Sequence, residues 1–490
     1  MKSNFRDPAW LQPAPQYDRP VGESDDASWL LLDANAGTVK AKDGNQVYPN
    51  LVDTNGNTIT VTDNHAGLIT ATDTVGRQVT FEYIPDASNT SEINYKDSNG
   101  VTRTITVNYV IKTLLPTFVS PAGAGNPCTT TPNPNCEVYF ISSIAFPNGT
   151  SYAFEYNNFG EMTKITYPTG GYTRYDFGRF EHLGAGPVDD RQVIAKHVCT
   201  KTTGSCLTSE ENTTVYSPIV DGTKTNNQFV DVVDPKGNLT HYEFLYRLPS
   251  DCNPPPGLCP LPPWEFEPRE VLRQVYDGQT TLLRTVQTCH DNLATCPRTH
   301  KTSLPVRITT TLNDTNQVSK VEYDYDTRVP VGSTVSRLIN NVTERRAFAY
   351  GTGAPGPLLR KKRTNWLKVN PVNSVNYGSN SIHILDRRAS EEVYSSAGTL
   401  VEQTQFEFDS YTEGLTSTSA VQHSTSYGTS YFYRGNTTAS KEWRNTDGAW
   451  LVTRHQFDDA GNLRKSVDPM GHATTFSFAD SWGNGACAPA

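Results

Sequence analysis

With 490 residues, a net charge of −9 and a mean hydropathy of −0.53, the chain exceeds the size of one ordinary hydrophobic core. Its acidity disfavours nonspecific binding to nucleic acid or anionic membrane. An aromatic content of 10%, with 24 tyrosines, excludes a disordered polymer, because disorder depletes rings.

Only 36% of residues are hydrophobic, so the rings must sit on surfaces that are half polar. Tyr and Thr suit a pleated strand, and aromatic cross-strand pairs stabilise a sheet by roughly 0.2–1 kcal/mol each. No long stretch combines helical apolar periodicity with caps; Val306–Asp314 alternates instead. The expected class is all-β, a continuous curved antiparallel sheet of stacked β-hairpins.

In chain order, residues 1–28 are rich in Pro, Asp and Ser and read as a poorly ordered lead-in. They contain no apolar signal region, and no later run approaches the roughly 20 apolar residues of a membrane span. Residues 29–112 follow as N-terminal β repeats, with Asp43-Gly44, Asn55-Gly56 and Asn99-Gly100 as hairpin signals. Residues 113–136 read as a loop stapled at its tip. Residues 137–350 form a dense β region, interrupted by the Pro-rich insertion 249–268, which cannot be a central strand because proline donates no ladder bond. After a Gly/Pro break at 351–357, residues 358–490 form a C-terminal β region that is expected to be truncated. The basic run Arg360-Lys-Lys-Arg363 reads as a solvated or edge-protecting strand.

One pattern organises these regions. An Asp-x-x-Gly or aromatic-x-x-Gly turn precedes an alternating aromatic strand at Asp73/Gly76, Phe146/Gly149, Tyr167/Gly170, Asp234/Gly237 and Asp468/Gly471. The Asp caps its own turn, and the Gly supplies a positive φ. A companion half, an aromatic followed by Gly-x-Leu/Met, occurs at Tyr156/Gly160/Met162, Tyr394/Gly398/Leu400 and Phe457/Gly461/Leu463, with Asp458 in the last copy. Tyr156 to Tyr167 is 11 residues, and so is Phe457 to Asp468. Linked halves at one spacing are the mark of a repeat architecture.

These motifs resemble the YD repeat of the bacterial RHS family, related to teneurins and Tc-toxin C components. The match is fullest at 457–478 and good at 53–83, 146–177, 234–244 and 394–408, so 137–350 and 358–490 read as YD-repeat regions. The resemblance implies a ribbon of hairpins wound into a shell around a toxic C-terminal polypeptide, as in polymorphic toxins. The self-cleaving core of that family is not matched, because Asp234-Pro-Lys-Gly and Asp468-Pro-Met-Gly run straight into ordinary strands.

Nine cysteines fall as Cys128/Cys136, Cys199/Cys206, Cys252/Cys259 and Cys289/Cys296, with Cys487 alone. This spacing suits bridges across hairpin tips. Zinc ligation is the alternative, but it favours Cys-x2–4-Cys with histidine partners. Four local disulfides imply an oxidising, extracellular or cell-surface location.

No Gly-x-Ser-x-Gly elbow, His-Glu-x-x-His or phosphate-cradling loop is present. The acid pairs Asp189-Asp190, Glu210-Glu211, Glu391-Glu392 and Asp458-Asp459 could in principle serve a glycosidase. The last pair is explained by its turn, and the others read as solvated. The expectation is a noncatalytic structural segment without metal, cofactor or nucleic acid, enclosing or displaying a C-terminal effector absent from this chain. A carbohydrate- or protein-recognition module is the alternative, and a β-rich glycoside hydrolase a weaker one.

Overall fold

The computed structural model describes residues 31–33, 38–40 and most of 51–477, excepting 85–88, 115–136, 182–188, 220–226, 246–268, 291–303, 329–336 and some shorter stretches. The expected lead-in, most of the first stapled loop and the Pro-rich insertion lie outside the described residues. So do Cys128, Cys136, Cys252, Cys259, Cys296 and Cys487.

The protein is all-β. Among the described residues the only helices are single 3-10 turns at Thr208–Glu210 and Thr425–Tyr427. The chain divides into two compact units, one of residues 1–104, 325–344 and 361–490, the other of 105–324 and 345–360.

In the second unit a meander runs through Glu137–Ala145, Ser151–Tyr156, Met162–Thr166, Tyr172–Glu181, Asp189–Cys199, Asn212–Ile219, Asn227–Val233 and Leu239–Leu245. It continues through Arg269–Asp277, Thr281–Cys289, Arg307–Leu312 and Gln317–Arg328, whose residues up to Asp324 belong to this unit. Each strand pairs antiparallel with the next. In the first unit one meander runs from Leu51–Val52 to Thr90–Lys96. Another comprises Arg388–Ser395, Leu400–Phe408, Thr437–Trp443, Trp450–Phe457, Leu463–Val467 and Ala473–Thr475.

The turns share one construction. At Asp53 the Gly56 N–H donates to the Asp53 carbonyl at 3.0 Å, and the Asp53 N–H to Asn57 O at 3.0 Å. Asp53 Oδ1 accepts the Asn55 and Asn57 N–H groups at 2.8 and 2.9 Å. Asp97, Asp234, Asp458 and Asp468 repeat this double side-chain cap. Asp73 Oδ1 takes the Arg77 N–H in the same way. Where the first position is Phe146 or Tyr167, the same backbone bonds form without a carboxylate. Gly76, Gly149, Gly160, Gly170, Gly237, Gly398, Gly461 and Gly471 all take positive φ.

A second rule was not anticipated. The ladder slips by one residue immediately before Tyr109, Tyr156, Phe177, Phe244, Tyr276, Tyr394, Phe408 and Phe457. Each of these bulges therefore precedes an aromatic residue. A bulge adds local twist and re-aims the next side chain. After it, Tyr156, Tyr276, Tyr394 and Phe457 stand directly opposite Met162, Leu282, Leu400 and Leu463. This pairing explains why the companion motif couples an aromatic to a Leu or Met six residues on.

Burial is shallow on both strand faces: every residue of Met162–Thr166, Arg307–Leu312 and Leu463–Val467 is half-buried. Among the described residues, a small apolar cluster lies in the first unit, where Leu367, Tyr377, Ile384 and Phe408 pack against Val375, Ile382, Ala389 and Phe406.

Candidate functional site: a buried clasp on two repeat turns

Next to that cluster lies a polar node within the first unit. Strand Leu400–Phe408 ends at Asp409, whose φ of +53° turns the chain out of the ladder. Asn and Asp tolerate that region best among residues with a Cβ. Asp409 Oδ2 accepts the Tyr377 hydroxyl and the N–H groups of Arg434 and Gly435, the latter two at 3.0 and 2.8 Å. Its Oδ1 accepts the Tyr411 hydroxyl at 2.7 Å and the Asn436 N–H at 2.9 Å. Burial, and then the charge of Asp409, pushes both tyrosine hydroxyls far above their usual range. They stay protonated and donate to the carboxylate.

Arg434 is fully buried at 0% exposure, and its guanidinium donates to main-chain carbonyls. Nε donates to Tyr431 O at 3.0 Å, and Nη2 to Tyr427 O and to Gly428 O at 2.9 Å. Nη1 donates to Asn55 O and to Asp459 O at 2.6 Å. Five carbonyls thus match the five N–H groups of the fork. Burial lowers the Arg434 pKa from its usual value, while nearby Tyr411, Asp459 and Asp409 oppose that shift.

The last two carbonyls belong to two repeat turns, Asp53–Asn57 and Asp458–Asn462, far apart in sequence. His423 Nε2 lies 2.9 Å from both of them, so this nitrogen carries a proton. Asp459 is anchored in turn by Thr418, whose N–H and hydroxyl both donate to its Oδ1 at 2.8 Å. Asp458, also fully buried, caps its own turn. Burial raises its pKa above the ordinary carboxylate value. Residues 409–436 therefore form a clasp whose arginine fastens the first described Asp-x-x-Gly turn to a late one.

A second polar cluster lies in the other unit. Tyr172, Arg174 and Asp176 project from one face of their strand, and cross-strand pairing sets His197 opposite Arg174. Glu211 accepts the Tyr172 hydroxyl at 2.7 Å and two Arg174 N–H bonds at 3.1 and 2.8 Å. His197 bridges Asp176 and Thr213, at 2.9 Å to each. Cys199 and Cys206, bonded as a disulfide, close the loop that precedes Glu211.

Glu211 is not the solvated acid that its sequence suggested: its side chain is 4% exposed and ion-paired. The hydrogen bonds from Arg174 hold it below the usual carboxylate value of 4.5. A depressed folded-state value favours folding when the acid is ionised. That contribution is complete above pH 4.5 and is lost as the pH falls through the folded value. Glu211→Gln is therefore expected to be less stable than the parent at neutral pH, with a shallower loss on acidification. Urea midpoints followed from about pH 7 to about pH 3 test this, and parallel curves would contradict it.

The remaining sequence candidates are dispersed. Asp73, Asp234 and Asp468 cap exposed turns. Cys289 is disulfide-bonded. Glu391 pairs with Lys362 and Arg388, and Glu392 accepts the Tyr394 hydroxyl. The basic run sits in strand Leu358–Trp366, where Lys361 and Arg363 face Glu344 at 3.9 and 3.4 Å and Lys361 covers the Tyr394 ring. Among the described residues no His/Cys/Asp/Glu group could hold a metal. No helix among them is long and apolar enough to cross a membrane.

The arrangement defines an all-β hairpin-repeat protein fastened by internal polar nodes. No family model matches the chain, and no curated protein matches it. Among solved structures, that of TcdB2-TccC3 is similar at 11% identity over 87% of this chain and 26% of that one, with a TM-score of 0.14. The Tc holotoxin pore of Photorhabdus luminescens is similar at 9% identity over 80% of this chain and 22% of that one, with a TM-score of 0.12. TcdB2-TccC3 without its hypervariable C-terminal region gives 10%, 80% and 23%, with a TM-score of 0.13. The chain spans about a quarter of the length of these structures.

Proposed function

We propose that the chain is a noncatalytic wall segment of an exported RHS/YD-repeat protein, forming part of a β-shell that encloses or displays a C-terminal effector polypeptide. The observation that carries this reading is the way reactive groups are consumed by the fabric itself. Asp409 accepts five donors, Arg434 meets five carbonyls, and Glu211, Glu391 and Glu392 are bound by neighbouring side chains. A catalytic acid or base needs a free valence toward substrate. Shallow burial on both strand faces suits a wall that lines a space. The Cys199–Cys206 bridge suits an extracellular or cell-surface protein.

Appending a reporter polypeptide with a protease site after Ala490 tests the reading. A container role predicts cleavage much slower than that of the free reporter; cleavage at the free rate would overturn it. A second reading, recognition of surface glycans or proteins, draws on the exposed rings of Tyr139 and Tyr350, 44% and 48% accessible. Saturable binding on a glycan array, lost in Tyr139→Ala and Tyr350→Ala, would support that reading instead.

A further inference from the structure

The clasp has the anatomy of a peptide-binding site whose ligand is already seated. Residues 55–58 present part of a short turn, and five of their polar atoms are read by the segment 422–461. The Asn55 carbonyl takes two donors, Arg434 Nη1 and His423 Nε2. Asn55 Oδ1 accepts from Asn436 Nδ2 at 3.0 Å. The Gly56 carbonyl accepts from the Ser424 N–H at 2.8 Å, and the Thr58 N–H donates to Gln422 O at 2.8 Å. Asn57 Nδ2 donates to Ala460 O at 2.8 Å.

Shape adds selectivity to these bonds. A Cβ on Gly56 would lie 2.3 Å from Tyr427 Cβ, and one on Gly461 would lie 2.4 Å from Asn55 Cγ. The socket thus demands glycine at the second position of its ligand and accommodates asparagine at the first only because its own wall is glycine. It reads an Asn-Gly hairpin turn through two main-chain carbonyls, the Thr58 N–H and the amide side chains of Asn55 and Asn57. This is turn recognition by backbone bonding plus a steric pocket, akin to the general modes of peptide capture.

We propose that residues 422–461 form a recognition site for an Asn-Gly hairpin turn, filled in one molecule by its own residues 53–58 and open to the same turn of a second copy when that turn is displaced. The occupant is set by what is seen there. The Asn99-Gly100 and Asn148-Gly149 turns share the dipeptide but carry Val101 and Thr150 where Asn57 makes its bond to Ala460. Chain exchange through this turn would join copies by an interface that already exists within each. The inference rests on the clasp geometry and not on the container reading.

The test uses the full-length chain and a fluorescent peptide of residues 48–63. In the Gly56→Leu chain the native turn is expelled, and the parent peptide is expected to bind saturably, at least tenfold more tightly than to the parent protein. A Gly56→Leu peptide is expected not to bind. Equal binding of both peptides, or no binding of either, would overturn the proposal. If the Gly56→Leu chain does not fold, the parent protein is labelled with the parent peptide carrying a photoreactive group at position 54. Cross-links mapped to 422–436 and suppressed by excess unlabelled peptide support the proposal; labelling no stronger than that by the Gly56→Leu peptide refutes it.

Discussion

Replacing Arg434 by methionine is expected to destabilise the first unit by about 4 kcal/mol, read as a fall in the urea midpoint of tryptophan fluorescence. The side chain is fully buried, and its loss strips a donor from the carbonyls of Asn55, Tyr427, Gly428, Tyr431 and Asp459. Trp366, Trp443 and Trp450 lie in the same unit and report its unfolding. A loss this large is a substantial share of the roughly 5–15 kcal/mol that holds a typical domain together. Arg434→Lys is expected to recover only part of it, since one ammonium offers three donors from a single point in place of a planar fork. A midpoint shift below about 1 kcal/mol for Arg434→Met would mean that the guanidinium does not carry the clasp.

Gly56→Ala is expected to cost about 3–4 kcal/mol, and Gly100→Ala only about 1–2 kcal/mol. Both glycines hold positive φ, at +87° and +75°, so both substitutions incur left-handed strain. They differ in what a methyl group would meet. At Gly100 nothing lies within 4 Å, whereas at Gly56 the Tyr427 Cβ and Cγ stand 2.3 and 2.5 Å away. The difference between the two substitutions, measured by thermal or urea unfolding, isolates the docking of the first turn from its intrinsic conformation. Equal costs would show that the Asp53–Asn57 turn gains nothing from the clasp.

The all-β class and the hairpin organisation were legible because their causes are local. Asp458 caps Asn462 four residues on, and Gly461 turns the chain, within the span of a single motif. The bulges were not read, although their signal was present in the spacing of Tyr156 to Met162 and Phe457 to Leu463. A fixed offset between an aromatic and an aliphatic reads equally well as simple opposition or as opposition after a slip. Arg434 was missed for a different reason. In the stretch Tyr431-Phe-Tyr-Arg434-Gly a lone cation looks solvated, and its acceptors at Asn55 and Asp459 are brought to it only by tertiary contacts. Glu211 was misjudged as solvated in the same way, since its partners Tyr172 and Arg174 lie on a strand that sequence proximity does not reveal.

The most direct measurement is native-state hydrogen exchange of the amides that cross the clasp. Thr58 donates to Gln422, Ser424 to Gly56, and Asp459 to Thr416. If 409–436 fastens the first turn to the late one, these three amides exchange together, with high protection, and Arg434→Met accelerates them all by a common factor while Thr240, in the other unit, is unchanged. Rapid exchange at Thr58 and Ser424 in the parent protein, with Asp459 still protected, would contradict it.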